Sequence, residues 1–169
     1  TQKERGYTAG FLGSKGNKFS LQLTKQRAST DKKLSELKAF LSTLSKGEFD
    51  KNLTNLLNGT LSKISKLRNT RSKISSFSIS KADAIKYYSS INNSFLNIIF
   101  QIGKRSSNDE LSKSLLAYAN FLNGKEKSGI ERAIGVGIFV NGSFEDNEAA
   151  KFKMAKLIAQ QKVYYYVFK

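Results

Sequence analysis

The chain has 169 residues, enough for one respectable core or for two small helical bundles stacked end to end. It contains neither Cys nor His, which excludes disulfides, thiolate metal sites and a thiol nucleophile and removes the commonest general base and metal ligand. Its 29 basic and 13 acidic residues leave a net charge of +16, but the lysines recur along nearly every segment, so the excess reads as solvated helix faces and no nucleic-acid partner is expected.

With no Pro, no Trp and 12 Gly gathered at a few places, the composition favours long uninterrupted helices. A short first helix is expected over residues 1–12, stopped by Gly13-Ser14-Lys15-Gly16. A second runs over about 17–44, with Leu23, Arg27, Thr30, Leu34, Leu37, Leu41 and Leu44 on one stripe. Lys46-Gly47 suits its C-terminus. The third helix carries Leu53, Leu57, Thr60, Ile64, Leu67, Arg71 and Ile74 on one face. Ser80 followed by Asp83 spells a capping box, opening a fourth helix with Ile85, Tyr88, Ile91, Phe95, Ile98 and Ile102 inward. After a break at 103–106, Ser107 with Glu110 repeats the device.

The fifth helix, about 108–140, has the stripe Leu111, Leu115, Tyr118, Leu122, Lys125, Gly129, Arg132, Val136, Phe139. Asn141-Gly142 ends it, and a sixth helix begins at Asp146, with Phe152, Leu157, Val163 and residues 164–168. No alternating strand pattern competes, and short connections between long amphipathic helices imply antiparallel neighbours. The expected fold is therefore all-α: antiparallel up-down helical bundles of about six segments. The chain is expected to be a single domain over 1–169, a fragment of a longer protein cut short at its C-terminus. It shows no signal peptide and no apolar run approaching the roughly 18 residues of a membrane span.

The chemistry lies in cations on dry stripes. A charged side chain there costs several kcal/mol unless it meets a carboxylate, reaches water or awaits an anion. Arg27 and Arg71 interrupt the second and third stripes. Lys125 and Arg132 flank Gly129, which costs about 1 kcal/mol in a helix but leaves room for another group. Two cations beside a gap suit an anion pocket; the alternative is ion pairing with Glu4, Glu126 or Glu131. At about 1.5 Å per residue, Arg5 and Arg27 fall at one height, Arg71 about a turn away and Arg132 some 15 Å higher. Arginine suits a planar oxyanion because its fork donates paired hydrogen bonds and stays charged.

Other features lead to plainer readings. Gly10, Gly13 and Gly16 have no preceding strand and no Lys-Ser/Thr signature, so they mark a helix stop or a close helix contact. Tyr164, Tyr165 and Tyr166 suit an aromatic belt at a membrane, core packing or a partner contact. Glu4 and Glu131 each sit beside an arginine with nothing else of a hydrolase nearby, so no catalytic residue, metal or cofactor is expected.

The opening Gln2-Lys3-Glu4-Arg5-Gly6-Tyr7-Thr8-Ala9-Gly10, with Gln26-Arg27 and Thr30-Asp31, resembles the start of the nitrate- and nitrite-sensing (NIT) domain of bacterial chemoreceptors and related sensors. Lys125-Glu126, Gly129-Ile130-Glu131-Arg132-Ala133, Phe139, Gly142, Phe144, Phe152 and Gln160 are similar to that family's second signature block, with the stretch around Tyr87-Tyr88-Ser89-Ser90-Ile91-Asn92 between. The resemblance implies up-down helical bundles, a homodimeric, membrane-anchored receptor with this domain on the extracytoplasmic (periplasmic) side, and arginine-mediated binding of nitrate or nitrite. Carried over by motif, Arg5 and Arg132 are its ligand arginines. The rival reading is a ligand-free helical spacer or dimerisation module whose arginines form structural ion pairs with glutamates.

Overall fold

The computed structural model describes residues 1–44, 49–141 and 148–168. Among these, seven helices follow one another: α1 (Gln2–Gly13), α2 (Ser20–Thr43), α3 (Lys51–Ser65), α4 (Leu67–Ser75), α5 (Lys81–Arg105), α6 (Asp109–Asn141) and α7 (Glu148–Phe168). The expectations placed on Lys46-Gly47, Gly142, Phe144 and a helix start at Asp146 lie outside the described residues, as does the side chain of Phe139. The fold is all-α, as the periodicity implied. The expected third helix is two, because Lys66 makes a tight turn, its N–H reaching the Lys63 carbonyl at 3.2 Å. The apolar stripe runs on through that turn: Leu53, Thr60, Ile64, Leu67 and Ile74 are all buried.

Three side chains set helix starts. The Asp50 carboxylate accepts from Leu53 N–H at 2.8 Å, the Ser80 hydroxyl from Asp83 N–H at 3.0 Å, and Asn108 Oδ1 from Leu111 N–H at 2.9 Å. These satisfy amide donors that a helix start leaves without intrahelical partners. Ser80 caps as expected, whereas the next cap is Asn108 and not Ser107.

Successive passes are antiparallel. Between α5 and α6, Asn92 meets Glu126 while Gly103 meets Leu115; between α6 and α7, Gly124 meets Tyr165 while Ser128 meets Gln161. The alternation makes α1 run parallel to α6, against which it packs, and antiparallel to α5. Gly10 lets Phe19 close the first hairpin: a Cβ there would lie 2.4 Å from the Phe19 ring. Gly16 sits in that turn at φ +87°, the left-handed region glycine adopts freely. These are the helix stop and close contact expected of the glycines.

One core cluster joins Leu23, Leu67, Ile74, Ala84 and Tyr88, with Tyr7, Phe11 and Leu34 packed on it. A smaller one joins Ala9, Ile85 and Ala133. Between them α1 buries Glu4, Arg5 and Thr8 completely. Burying charge there requires partners from other helices, and those partners form the candidate site.

Candidate functional site

Two charge networks surround α1. In the first, Arg5 is fully buried and its guanidinium grips Glu126 of α6, itself fully buried. Nη1 donates to Glu126 Oε1, and Nη2 reaches Oε2 at 3.3 Å. Nη1 also donates to the Ser89 hydroxyl at 2.8 Å. The same carboxylate accepts from Gln2 Nε2 at 2.6 Å and from Asn92 Nδ2 at 3.3 and 3.4 Å. Gly129 gives this cluster its space, since a Cβ there would lie 2.7 Å from Arg5 Nη2. Arg5 Nε is buried without a hydrogen-bond partner.

In the second network, Glu4 accepts from Arg71 Nε at 2.7 Å, Arg71 Nη2 at 2.9 Å and the Tyr88 hydroxyl at 2.8 Å. Arg71 also donates to Asp31 at 2.6 Å and to the Arg27 carbonyl at 3.3 Å. Arg27 donates to Ser75 Oγ at 3.0 Å and to the Arg71 carbonyl at 3.4 Å. Burial by itself pushes the Glu4 carboxyl up, but hydrogen bonds from Arg71, Thr30 and Tyr88 and the Arg71 charge outweigh it and hold the carboxyl below its ordinary range. Burial and the neighbouring Glu4 charge both push the Tyr88 phenol up, so Tyr88 is a neutral donor.

The structure brings Arg5, Arg27 and Arg71 to one region, as the rise per residue implied. Arg132 lies closer to α1 than that count allowed. It lines a cavity of about 280 Å³ with Gln2, Lys3, Gly6, Tyr7, Phe19 and Val136. Departures from ideal turn geometry accumulate over the connections between α1 and α6, and a long Arg side chain spans much of the remainder. The cavity holds Arg132 and Lys3 without Arg5, whose guanidinium is turned to Glu126 and Ser89.

The α6 stripe is corrected by one residue. Lys125 and Arg132 are exposed, and the buried positions among the described residues of α6 are Ala119, Gly124, Glu126, Gly129, Ala133 and Gly135. Leu122, Gly129 and Val136 belong to both versions, but α6 rotates to seat small residues and Glu126 against α1 and α5. The gap at Gly129 is therefore filled by Arg5, not flanked by the cations of α6. Among the described residues Arg132 makes no hydrogen bond or ion pair, and Glu131 accepts from Gln161 Nε2 instead.

Sequence reasoning quoted Gln2, Asp31, Ser89, Asn92 and Glu126 within the family motifs, but gave Glu126 no role beyond a neutraliser and the other four no role in the site. The heptad spacing of Ala119, Glu126 and Ala133 was the available signal. Among the described residues no group of acidic side chains is arranged to hold a metal ion. What the arrangement offers is a set of convergent donors suited to an anion with two or three coplanar oxygens.

A family model described as nitrate and nitrite sensing matches residues 1–169. No curated protein matches the chain. Among solved structures, the fold is similar to that described as the structure of the NasR transcription antiterminator. That match has 24% identity and a TM-score of 0.91, and covers 99% of this chain and 45% of that one. The chain thus spans less than half of that protein.

Proposed function

Because the chain belongs to the nitrate- and nitrite-sensing family, we propose that it binds nitrate or nitrite through Arg5 and Arg132. The observation carrying this reading is Arg132, a cation beside a 280 Å³ cavity with Lys3 and with no partner among the described residues. Arg5, next to Gly6 of that lining in the chain, is buried with its Nε unpaired. The bound anion bridges α1 and α6, and the signal is the resulting change in their packing, limited in size by the anion's differential affinity for the two arrangements. Arg27, Arg71, Lys125 and Gly129 complete the earlier candidate set. Arg71 serves it by fixing α1 through Glu4, Arg27 by bonding the backbone at Arg71, Gly129 by making room for Arg5, and exposed Lys125 by adding positive potential.

In this reading the domain is the extracytoplasmic, periplasmic part of a membrane-anchored homodimeric chemoreceptor, without catalytic activity or a nucleic-acid partner. The domain is one unit over residues 1–169, the stretch that the family model matches. The family resemblance supports this setting. No described helix is long and apolar enough to cross a membrane.

The second reading, a ligand-free spacer or dimerisation module, is favoured by the buried Arg5–Glu126 pair and by Arg71, whose carboxylate partners are already present. Thermal unfolding at fixed ionic strength separates the two. Nitrate or nitrite at about a hundred times its Kd should raise the melting temperature by roughly 5–10 °C. Chloride and sulfate should not, and Arg132→Ala should abolish the rise while leaving anion-free stability intact. Equal melting temperatures in all four salts would establish the spacer.

A further inference from the structure

We infer that the Glu126 carboxylate is an internal competitor, occupying the oxyanion receptor formed by Arg5, Gln2 and Asn92 and holding it closed until an external anion takes its place. The inference rests on the nitrate-sensing reading and assigns to Glu126 the control of that site's affinity.

The donor set carries the argument. Two Arg5 nitrogens, Gln2 Nε2 and Asn92 Nδ2 converge on one pair of coplanar oxygens, with Arg5, Asn92 and Glu126 buried and Gln2 half-buried. Those oxygens belong to a carboxylate, whose O–C–O fork has the shape and charge of the O–N–O fork of nitrate or nitrite. A receptor that satisfies one satisfies the other. Only the tether differs: Glu126 is carried on α6, one turn before Gly129, so its effective concentration at the receptor is set by the fold and not by the solution. An anion entering from outside must displace it, and the displaced carboxylate needs water or another cation.

The geometry supplies an exit and an entrance. Ser89, which accepts from Arg5 Nη1, also lines a cavity of about 760 Å³ between α5, α6 and α7. Lys81, Lys86 and Lys153 stand around it. On the other side Arg132 and Lys3 line the smaller cavity with Gln2, a member of the receptor itself. Arg132 is thus placed to receive either the arriving anion or the departing carboxylate. This explains how Arg132 is unpaired among the described residues while both terminal nitrogens of Arg5 are engaged by Glu126.

The test is chemical rescue. Glu126→Ala removes the carboxylate and leaves space for a small anion, whereas Glu126→Gln removes the charge but keeps the space filled. Melting temperature and helicity are followed for wild type and both variants across nitrate, nitrite, formate, chloride and sulfate at constant ionic strength. The expected result is that planar nitrate, nitrite and formate raise the melting temperature of Glu126→Ala by several degrees more than they raise wild type, at least tenfold lower concentration sufficing. Glu126→Gln should gain less than Glu126→Ala. If Glu126→Ala is unfolded in anion-free buffer, recovery of helicity on titrating nitrate is the same readout.

A selective wild-type response with no added gain in Glu126→Ala overturns the competitor role and leaves nitrate sensing standing. Rescue of Glu126→Ala without a wild-type response shows that no external anion takes the carboxylate's place in the native protein, and overturns both the competitor role and the sensing reading. Equal rescue by chloride, or no rescue of any form, shows that the receptor does not take planar oxyanions and overturns the proposal.

Discussion

Gly59 and Gly129 illustrate how one substitution takes opposite signs in different surroundings. Both lie inside helices, where Ala is favoured by about 0.5–1 kcal/mol. At Gly59 a Cβ would meet nothing within 4 Å, so Gly59→Ala should keep that gain and raise the melting temperature by about 2 °C. At Gly129 the new methyl would stand 2.7 Å from Arg5 Nη2, the end of a side chain that Glu126 and Ser89 hold in place. Overpacking of about 1–3 kcal/mol then exceeds the helix gain, and Gly129→Ala should unfold earlier than wild type. Thermal unfolding of the pair measures both signs together. A Gly129→Ala variant at least as stable as Gly59→Ala would show that Arg5 moves freely, contrary to its burial. The space at Gly129 was legible in the sequence because a glycine inside a long periodic helix demands a packing reason. Its occupant was not, since Arg5 lies on another helix and no local pattern joins the two.

At the level of elements, local chemistry was legible where it was spelled locally. The Ser80 cap on α5 was, and Ser80→Ala should cost about 1 kcal/mol, seen as a lower urea midpoint with an unchanged slope. A changed slope would mean that the cap also holds α4 and α5 in register. The Asn108 cap was missed because Ser106, Ser107 and Asn108 all suit an N-cap, and the choice depends on how α5 and α6 meet, with Ser112 Oγ donating to the Gly103 carbonyl at 2.8 Å. The turn at Lys66 had no Gly or Pro to announce it. The one-residue rotation of α6 was hidden for a similar reason. Two stripes share Leu122, Gly129 and Val136, and only tertiary contacts with α1 and α5 decide that Glu126 turns inward and Lys125 outward. In α1 the motif singled out Arg5, but no local pattern showed that Glu4, Arg5 and Thr8 are buried, which follows only from Arg71, Tyr88 and Glu126 beside them.

The molecule as a whole carries +16, and its response to acid combines two effects that salt can separate. Glu4 is stabilised as a carboxylate in the fold, so its pKa is lower folded than unfolded. The linkage therefore has a fixed sign: its contribution is complete above the ordinary value of 4.5 and is lost as the pH falls through the depressed folded value. Over the same interval the other carboxylates protonate, the 29 basic residues lose their counter-charges, and self-repulsion favours the unfolded chain. Added salt screens that repulsion between exposed charges but acts far less on a buried pair. Wild type should thus retain an acid limb below pH 4.5 in high salt, reduced but not removed. Glu4→Gln should start from a lower plateau near neutrality, because Arg71 loses its bidentate partner, and should show a much shallower limb in the same salt. Denaturant unfolding from pH 7 to 3 at two salt concentrations measures both limbs. Superimposable high-salt limbs for the two proteins would show that Glu4 titrates alike in folded and unfolded chains, and that the Glu4–Arg71 network does not couple α1 to α4 and α5.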